Sequence, residues 1–528
     1  NRFYSRLETT YAALLSRLLK RRRFVFASLG PLALATLFLF KMIPPGFIPQ
    51  EDMSTLGGYF LLNPGASIAA YEPVSNQVRN ILNKEKAKKG SGISDFGIYD
   101  TNQFTTFFIQ LSPLDQRRKS GQTIEKISST ISTSLATLPT RFPPVMFQEP
   151  MIPGFDGNSS ISISLTDESR GRYSIDEFYE LTQQFSTQAT KEPSIQSIRT
   201  QFSADKPAYQ INIDRTSLGS LDLNYQDVVS TIAAFAGGRR VDQTSVEGGP
   251  KDVFIISQPN ERSTIDQLMN YGIKNSNGQF VTLKEVASHR LISTPASIEH
   301  FNFNRSIQYT IYPNPGYSTG QAIEDAKDSF ASLNFKDIGY QFKGLSRIQD
   351  NSGGQILFLY LMAALAVFLV LSAQYESYIT SIAIVITVPI TLLGSFILLQ
   401  ARSMDINIFS QIGLLMLIGL AAKNSILVVE AADQRVSEGM EILQAAAEAG
   451  RERLQPILMT SVASLAGFFP LVIAQNAGAN AQQSIGTVVF GGLMMGTMLS
   501  LLVVPPVYVI IKNLEIRFFS KLTNAHPF

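Results

Sequence analysis

Six long apolar runs restrict the possible folds of this sequence more than any other feature. A helix needs about 20 apolar residues to cross a hydrocarbon core of roughly 30 Å, and each run approaches that length. The runs cover residues 24–43, 356–372, 379–399, 406–431, 456–474 and 485–511. The sequence therefore predicts six transmembrane helices, with a polar segment at residues 44–350 between the first and the second. The alternative is that some runs are core helices of a soluble protein, and the charges beside the runs argue against it.

Basic residues lie at three places beside the predicted spans: before the first, between the fourth and the fifth, and after the sixth. They are Lys20, Arg21, Arg22, Arg23, Arg435, Arg451, Arg453, Lys512, Arg517 and Lys521. Six spans put all three places on one side of the membrane, and an excess of Lys and Arg marks the cytoplasmic side. Residues 44–350 are then expected on the opposite side, with the loops at residues 401–405 and 475–483.

The stretches next to the spans also carry helical signals. Residues 1–20 have apolar residues at helical spacing between basic ones, which predicts an interfacial helix on the cytoplasmic surface. The first span then occupies residues 21–43, and the other five lie within residues 351–512. An Ala-rich, charged stretch predicts a solvated cytoplasmic helix near residues 433–453. Residues 513–528 are expected to form a cytoplasmic tail.

Strand and helix patterns alternate in the polar segment, and the alternation occurs twice. The first predicted unit, residues 44–153, has the order βαββαβ of a split βαβ motif. The second is predicted at residues 154–237 and 296–350, and includes a strand at 208–214 and a helix at 225–236. An inserted β subdomain is predicted at residues 238–295, with a hairpin turn at Gly248 and Gly249.

The predicted fold class is therefore a membrane α-helical bundle of six spans plus an α+β domain. That domain consists of two ferredoxin-like βαββαβ units and the inserted β subdomain.

Lys423 is the residue whose position is hardest to explain by folding alone. It lies near the middle of the fourth predicted span, where an unpaired charge costs about 3 kcal/mol or more, so it is a candidate functional residue. A carboxylate would be its natural partner, but Asp405 and Glu430 lie at span ends and Glu376 lies in a loop. The alternative is a lysine that extends to an interface or sits in a polar pocket. Asn424 and Thr460 are also polar positions in spans, where such side chains often only hold helices together.

The composition excludes several classes of function. A net charge of +2 gives no basic field for nucleic acid. The chain has no Cys, and its three His residues are scattered, so neither a metal site nor a disulfide framework is expected. No glycine-rich phosphate loop is present, so ATP hydrolysis is not expected, and no cofactor is predicted. If the protein uses energy, the source would have to be an ion gradient.

Four motifs in the same order and spacing make the whole chain resemble a known family. They are FIPQED at residues 47–52, AQYESY at 373–378, GLLMLIGLAAKNSILVVE at 413–430 and RLQPILMTS at 453–461. These motifs resemble resistance-nodulation-division efflux pumps of the hydrophobe/amphiphile branch, and the third resembles their tenth span. The resemblance is to the C-terminal half of such a pump, since these pumps consist of two repeated halves of six spans.

The resemblance implies roles for individual residues. Those of the proton relay would be Lys423, Arg453, Thr460 and Asn424, with partner aspartates in the other half. Those of the substrate cleft would be Phe104, Phe108, Ile161, Ile163 and Arg199, although a strand phenylalanine more often belongs to a core. Those of the channel-docking hairpin would be Gly248, Gly249 and Lys251. Two positions depart from the family pattern: the loop at residues 98–104 is short and polar, and Gln455 stands where an arginine is usual.

The function that the resemblance implies is proton-driven export of amphiphilic drugs or other hydrophobic compounds, not an enzymatic reaction. The chain would belong to the bacterial inner membrane, with its large domain in the periplasm. Its expected partners are the N-terminal half of the pump with intramembrane aspartates, a periplasmic adaptor protein and an outer-membrane channel, in a homotrimer of full pumps.

Two alternatives remain open. Heavy-metal efflux by a related branch would need a thioether site, for which Met53, Met146 and Met151 are the candidates. A half without the aspartates could also be a scaffold that does not transport.

Overall fold

The computed structural model describes residues 2–49, 51–101, 104–148, 160–246, 249–314, 316–476 and 478–523. Two helices come first: α1 (Arg2–Lys20) and α2 (Arg22–Met42). Helix α1 is amphipathic, because Tyr11, Leu15 and Leu19 recur every fourth residue and are all buried. Leu15 and Tyr11 pack against Gly450, and the Tyr11 hydroxyl donates to the carbonyl of Leu501. The membrane-surface position predicted for this helix stays a prediction.

A four-stranded sheet with helices follows α2. Its elements are β1 (Thr55–Phe60), α3 (Ile68–Lys86), β2 (Ile93–Asp100), β3 (Thr105–Leu111), α4 (Leu114–Lys119), α5 (Ile124–Leu135) and β4 (Val145–Gln148). The strand order is β2-β3-β1-β4, and every pairing is antiparallel. Residues alternate across β3, so that Phe107 is buried while Phe108 is exposed. The buried face of α5 is formed by Ile124, Ile127 and Ile131 at helical spacing.

The next elements are β5 (Ile161–Asp167), α6 (Ile175–Ala189) and β6 (Ile195–Arg199). The chain then enters a compact unit formed by residues 63–66 and 202–298. Its elements are β7 (Lys206–Ile213), α7 (Arg215–Ser220), α8 (Tyr225–Gly237), β8 (Arg239–Val246), β9 (Gly249–Ile255), α9 (Ile265–Met269), β10 (Gly272–Lys274), β11 (Phe280–Thr282), α10 (Leu283–Val286) and β12 (Ala287–Thr294). Strand β7 pairs with β12, β8 with β9, and β10 with β11.

After that unit the chain returns to the sheet of β5. The elements are β13 (Glu299–Phe301), β14 (Asn304–Pro313), α11 (Thr319–Ser332) and β15 (Ile338–Phe342). The order is β13-β14-β5-β15, and β6 also pairs with β14. The predicted boundary of the insertion is therefore wrong: the insertion begins at residue 202, not 238. Strand β7 and helix α8 belong to it, because β7 pairs with β12 and α8 contributes Val228 and Phe235 to a separate core.

The last part of the chain is helical. It consists of α12 (Gly344–Tyr375), α13 (Tyr378–Val385), α14 (Val388–Ala401), α15 (Ile408–Ser437), α16 (Ile442–Val472), α17 (Ala479–Leu502) and α18 (Val504–Thr523). Among the described residues, six helical segments are long and apolar enough to cross a membrane, as predicted. The third and sixth predicted runs are each interrupted, at residues 386–387 and at Val503. Both breaks precede prolines, Pro389 and the pair Pro505 and Pro506, which cannot donate the next helical hydrogen bond.

The prediction of one separate helix near residues 433–453 is wrong, because the stretch holds the end of α15, a turn and the start of α16. Helix α15 ends at Ser437, and Gly439 adopts a left-handed conformation (φ +94°) in the turn that precedes α16. The start of α16 buries one face, formed by Ala445, Ala446 and Ala449, while Glu448 and Glu452 on the other face are exposed.

Small residues allow α14 and α17 to lie close together. A Cβ atom added at Gly394 would lie 2.3 Å from the Gly491 carbonyl oxygen, and one at Gly491 would lie 2.6 Å from the Gly394 carbonyl oxygen. Within an apolar 18-residue stretch of each segment, 61% of the residues are buried in Tyr378–Ala401 and in Ala479–Leu502, but only 11% are buried in Phe358–Tyr375 and in Ile442–Val472. The described chain thus leaves the apolar stretches of α12 and α16 largely unburied.

Asp167 carries a buried charge at the end of β5. Its carboxylate accepts from the Ser169 backbone N–H (2.9 Å) and forms an ion pair with Arg305 on β14. Burial raises the pKa of Asp167, but the hydrogen bonds from Ser169 and Arg305 outweigh that effect and hold the pKa below its usual value. A carboxyl group with a lowered folded-state pKa stabilises the fold above its unfolded pKa of about 3.9, and this contribution disappears as the pH falls through the folded value.

We expect Asp167→Asn to lower the free energy of unfolding by about 2 kcal/mol at pH 7, because Arg305 loses its partner inside the protein. The difference from the wild type should shrink as the pH approaches 3. Thermal unfolding of the detergent-solubilised protein at pH 7 and near pH 3 measures the loss of stability and its pH dependence. The control is Asp328→Asn, which changes an exposed carboxylate on α11. An equal loss at both pH values would show that the ion pair is not the cause.

Candidate functional site

Lys423 lies on a face of α15 that the described chain does not cover. Ile412, Met416, Gly419, Lys423 and Glu430 are all exposed and recur at helical spacing; they are called the Lys423 face below. A Cβ atom added at Gly419 would meet nothing within 4 Å. Within the described ranges, no carboxylate forms an ion pair with Lys423.

A buried polar cluster lies on an adjacent face of α15, about 100° around the helix from Lys423. Asn424 donates from Nδ2 to the Ser461 hydroxyl on α16 (3.2 Å) and lies 3.5 Å from the Thr497 hydroxyl on α17. The Ser461 and Thr497 hydroxyls are 2.8 Å apart, and Thr497 also donates to the Leu493 carbonyl (2.7 Å). The cluster joins three helices, and each named side chain has a partner. In the fold, Asn424 therefore connects helices, and its relay role stays a prediction.

Thr497→Val tests how much this cluster stabilises the helix bundle. The change keeps the side-chain shape but leaves Ser461 and Asn424 each with one partner fewer in a buried site. We expect a loss of about 1 kcal/mol, in the range measured for buried side-chain hydrogen bonds between membrane helices. The measurement is the melting temperature, taken from the fraction of detergent-solubilised protein that remains monodisperse on heating. We expect it to fall in Thr497→Val. Thr130→Val on the exposed face of α5 is the matched control, and equal melting temperatures for the two variants would exclude a stabilising cluster.

Arg453 and Thr460 lie two turns apart on α16 and are both half-buried. Thr460 donates to the Ile457 carbonyl (3.1 Å). The Arg453 Nε is buried and has no hydrogen-bond partner in the described part of the chain, which is unusual for a buried donor. No hydrogen bond or ion pair among the described residues joins Lys423, Arg453 and Thr460. In the described part of the chain, Lys423 thus has no ion-pair partner and the Arg453 Nε no hydrogen-bond partner, and both groups could donate to a carboxylate.

The residues predicted for a substrate cleft lie in different environments. Phe108 is 44% exposed on β3, and Phe104 is half-buried just before that strand. Ile161 and Ile163 are fully buried in β5, so they are not accessible to a ligand in this structure. Arg199, at the end of β6, donates to the Pro143 carbonyl (2.7 Å) and lies over the ring of Phe142. The cleft role of these five residues stays a prediction.

The predicted docking hairpin is formed by β8 and β9. Gly248 lies outside the described residues, Gly249 is half-buried, and Lys251 is exposed opposite Thr244. The hairpin also exposes apolar side chains, including Val246 (47%), Phe254 (55%) and Ile255 (64%). Exposed apolar groups in such number are typical of a surface that contacts another protein or another part of the same assembly.

The thioether candidates do not gain support. Met146 lies on β4 opposite Gly58, and Met53 precedes β1 with 43% of its surface exposed, while Met151 lies outside the described residues. Within the described ranges, no group of three His, Cys, Asp or Glu side chains could hold a metal ion.

Sequence reasoning missed the contacts of Glu51, Asp52 and Arg117, and the polar cluster around Thr497. The FIPQED motif contains the acidic pair, but the partners of both residues lie far away in the chain. Glu51 contacts residues 480–481 and Asp52 contacts Arg117, so only the folded chain shows these pairs.

Known proteins of similar sequence are efflux pumps and multidrug resistance proteins. The family model described as "AcrB/AcrD/AcrF family" matches residues 1–512. The multidrug/solvent efflux pump membrane transporter MepB of Pseudomonas putida is 30% identical over 522 residues, covering 97% of this chain and 49% of that protein. The multidrug resistance protein MdtF of Escherichia coli K12 is 29% identical over 488 residues, covering 91% of this chain and 46% of that protein. The chain spans about half the length of these curated relatives.

Proposed function

Because this chain belongs to the AcrB/AcrD/AcrF family of resistance-nodulation-division transporters, we propose that it is the C-terminal half of a proton-driven exporter of amphiphilic and hydrophobic compounds. The observation that carries this proposal is the Lys423 face: a mid-helix cation, unpaired among the described residues, on a surface that the described chain leaves open. The matching relatives are about twice as long and are named as efflux pumps and multidrug resistance proteins.

In the proposed mechanism, a second half of six spans covers the Lys423 face and places carboxylates beside Lys423. An ionised carboxylate holds the ammonium group, and a proton taken up by the carboxylate weakens that pair. The helices then change their packing, because the charge that stabilised one arrangement is gone. Arg453, Thr460 and Asn424 would adjust the proton affinity of the carboxylates through their donors.

The α+β segments are proposed to handle the exported compound. The two units built from β1–β4 and from β5, β6, β14 and β15 would be ferredoxin-like porter subdomains in the periplasm. Phe104, Phe108, Ile161, Ile163 and Arg199 would lie along a cleft that opens and closes, with the two isoleucines becoming accessible only when the sheet separates from its helices. The hairpin at Gly248, Gly249 and Lys251 would dock an outer-membrane channel. An adaptor protein and a trimer of full pumps in the inner membrane complete the proposed assembly.

The function can be tested in bacterial cells that lack their own pumps, by measuring how much of a cationic lipophilic dye they accumulate with and without this protein. Cells that make the complete protein with its adaptor and channel should accumulate several-fold less ethidium than control cells. A protonophore should remove the difference, because the driving force is a proton gradient. If cells with the assembled protein in their membrane accumulate as much ethidium as control cells, export is refuted. A difference that survives collapse of the gradient would refute proton coupling.

A scaffold that does not transport is the second candidate, since the described chain supplies no carboxylate to Lys423. It predicts that the purified complex contains no second set of six spans. Identification of all peptides in the complex, together with its native mass, decides between the two proposals. Heavy-metal efflux is not favoured by any feature of the described residues.

A further inference from the structure

Glu51 attaches the extended segment after α2 to the start of α17. The residue is 4% exposed, and its carboxylate accepts from the backbone N–H groups of Asn480 (3.2 Å) and Ala481 (2.6 Å). The first N–H groups of a helix have no partner within the helix and carry a partial positive charge, so a carboxylate is well placed there. Glu51 thereby holds the N-terminal end of α17 through two hydrogen bonds.

Asp52 attaches the same segment to the first α+β unit. Its two oxygens accept from Nη1 (3.0 Å) and Nη2 (2.7 Å) of Arg117 on α4. The Arg117 side chain is fully buried, and it also donates to the Ser112 carbonyl (2.7 Å) and to the Ser54 hydroxyl (3.0 Å). A two-point pair between a planar guanidinium group and a carboxylate fixes orientation as well as distance. Four donated bonds therefore leave Arg117 little freedom to rotate.

The beginning of the segment is attached to the start of α15. The Gly46 N–H donates to the Ile406 carbonyl (3.1 Å), the Ile406 N–H to the Pro44 carbonyl (3.0 Å), and the Ile408 N–H to the Phe47 carbonyl (2.8 Å). Asn407 then connects α15 to α17, since it accepts from the Ser410 N–H at the start of α15 and donates to the Ser484 hydroxyl on α17 (2.8 Å). The beginning of the segment thus contacts the start of α15. At its other end, Glu51 contacts the start of α17 and Asp52 contacts Arg117 in the first α+β unit.

We propose that residues 44–49 together with Glu51 and Asp52 form a coupling joint, in which Glu51 and Asp52 are positioning residues that pass a displacement of the α17 N-terminus to the unit of β1–β4. The inference rests on the proposed function, because an exporter must link changes in its spans to a soluble cleft. The physical reason is the short connection: Glu51 and Asp52 are adjacent, and neighbouring Cα atoms are about 3.8 Å apart. The α17 end and Arg117 therefore move together as long as both carboxylates keep their bonds.

A distance measurement between the two bodies tests the joint without any substrate. Nitroxide labels would be placed on cysteines introduced at Ser129 of α5 and Gln482 of α17, in the complete protein in lipid nanodiscs, with any other cysteines replaced by serine. Pulsed electron spin resonance then gives the distance distribution. We expect one narrow distribution in the wild type, and a distribution at least twice as wide in Glu51→Gln and in Asp52→Asn.

The double variant should be no wider than either single variant, because the two attachments act in series. Glu180→Gln, an exposed carboxylate on α6, is the matched control and should match the wild type. A melting temperature close to that of the wild type shows that a broad distribution does not come from unfolding. Unchanged widths in both single variants would overturn the joint.

Transport provides a second measurement, because the loss of a purely structural residue would not change the maximal export rate. In Glu51→Gln we expect the maximal rate of ethidium export to fall at least five-fold, with the half-saturating dye concentration unchanged, since binding is intact and coupling is lost. An unchanged maximal rate would overturn the proposal. If the wild type exports no dye, the proposed function fails, while the distance measurement still decides whether the joint exists.

Discussion

Lys423→Ala is expected to abolish ethidium export by the complete protein while its amount in the membrane and its thermal stability stay near the wild-type values. The two expectations have one cause. The described chain makes no ion pair with Lys423, so the fold of this half does not depend on the ammonium group. The proposed transport cycle does depend on it, because a carboxylate in the other half has no cationic partner once the lysine is removed. Dye accumulation, measured beside the amount of assembled protein, checks both.

Two further variants separate the charge from the surface. Lys423→Arg keeps a cation of different shape, and we expect it to retain part of the export activity. Met416→Ala shortens another side chain of the Lys423 face without changing any charge, and it should export normally. Normal dye export by Lys423→Ala would exclude the relay role. Loss of export by Met416→Ala as well would show that packing on this face matters rather than the charge.

The predictable part of this molecule is the part with a strong local signal. Six apolar runs gave six helical segments, and the mid-span position of Lys423 was clear from the sequence because an isolated charge in such a run has few explanations. The error near residues 433–453 has a local cause as well. The stretch is rich in helix-forming residues, and Gly439 alone carries the turn, so a periodic pattern runs through it without a visible break.

Contacts between distant parts of the chain were not predictable from patterns. Strand β7 alternates in the way expected for the sheet of β5, but it pairs with β12, and only the folded chain shows which partner it takes. The same holds for the site. Asn424 and Thr460 could be recognised as polar residues in spans, but the hydrogen bonds of Asn424 to Ser461 and Thr497 depend on how three helices pack.

The close approach of α14 and α17 leads to the prediction with the largest expected effect on stability. A Cβ atom at Gly491 would lie 2.6 Å from the Gly394 carbonyl oxygen and 3.0 Å from the Leu398 Cβ atom. The first contact is with backbone, which cannot rotate away as a side chain can. Gly491→Val should therefore force the two helices apart and cost about 3 kcal/mol or more, since a packed interior yields little to added volume.

A second glycine serves as the control. Glycine is unfavourable within a helix, so replacing it by alanine stabilises the helix wherever the added methyl group has space. Gly467 lies on α16, and a Cβ atom added there would meet nothing within 4 Å in the described chain. Gly467→Ala should leave the melting temperature unchanged or raise it slightly, whereas Gly491→Ala should lower it and Gly491→Val should lower it further.

The measurement is the temperature at which half of the detergent-solubilised protein loses its monodisperse elution peak. If Gly491→Val melts with the wild type, α14 and α17 do not pack as closely as described. If Gly467→Ala is also destabilised, another surface covers α16, which is where a second half of the protein would lie.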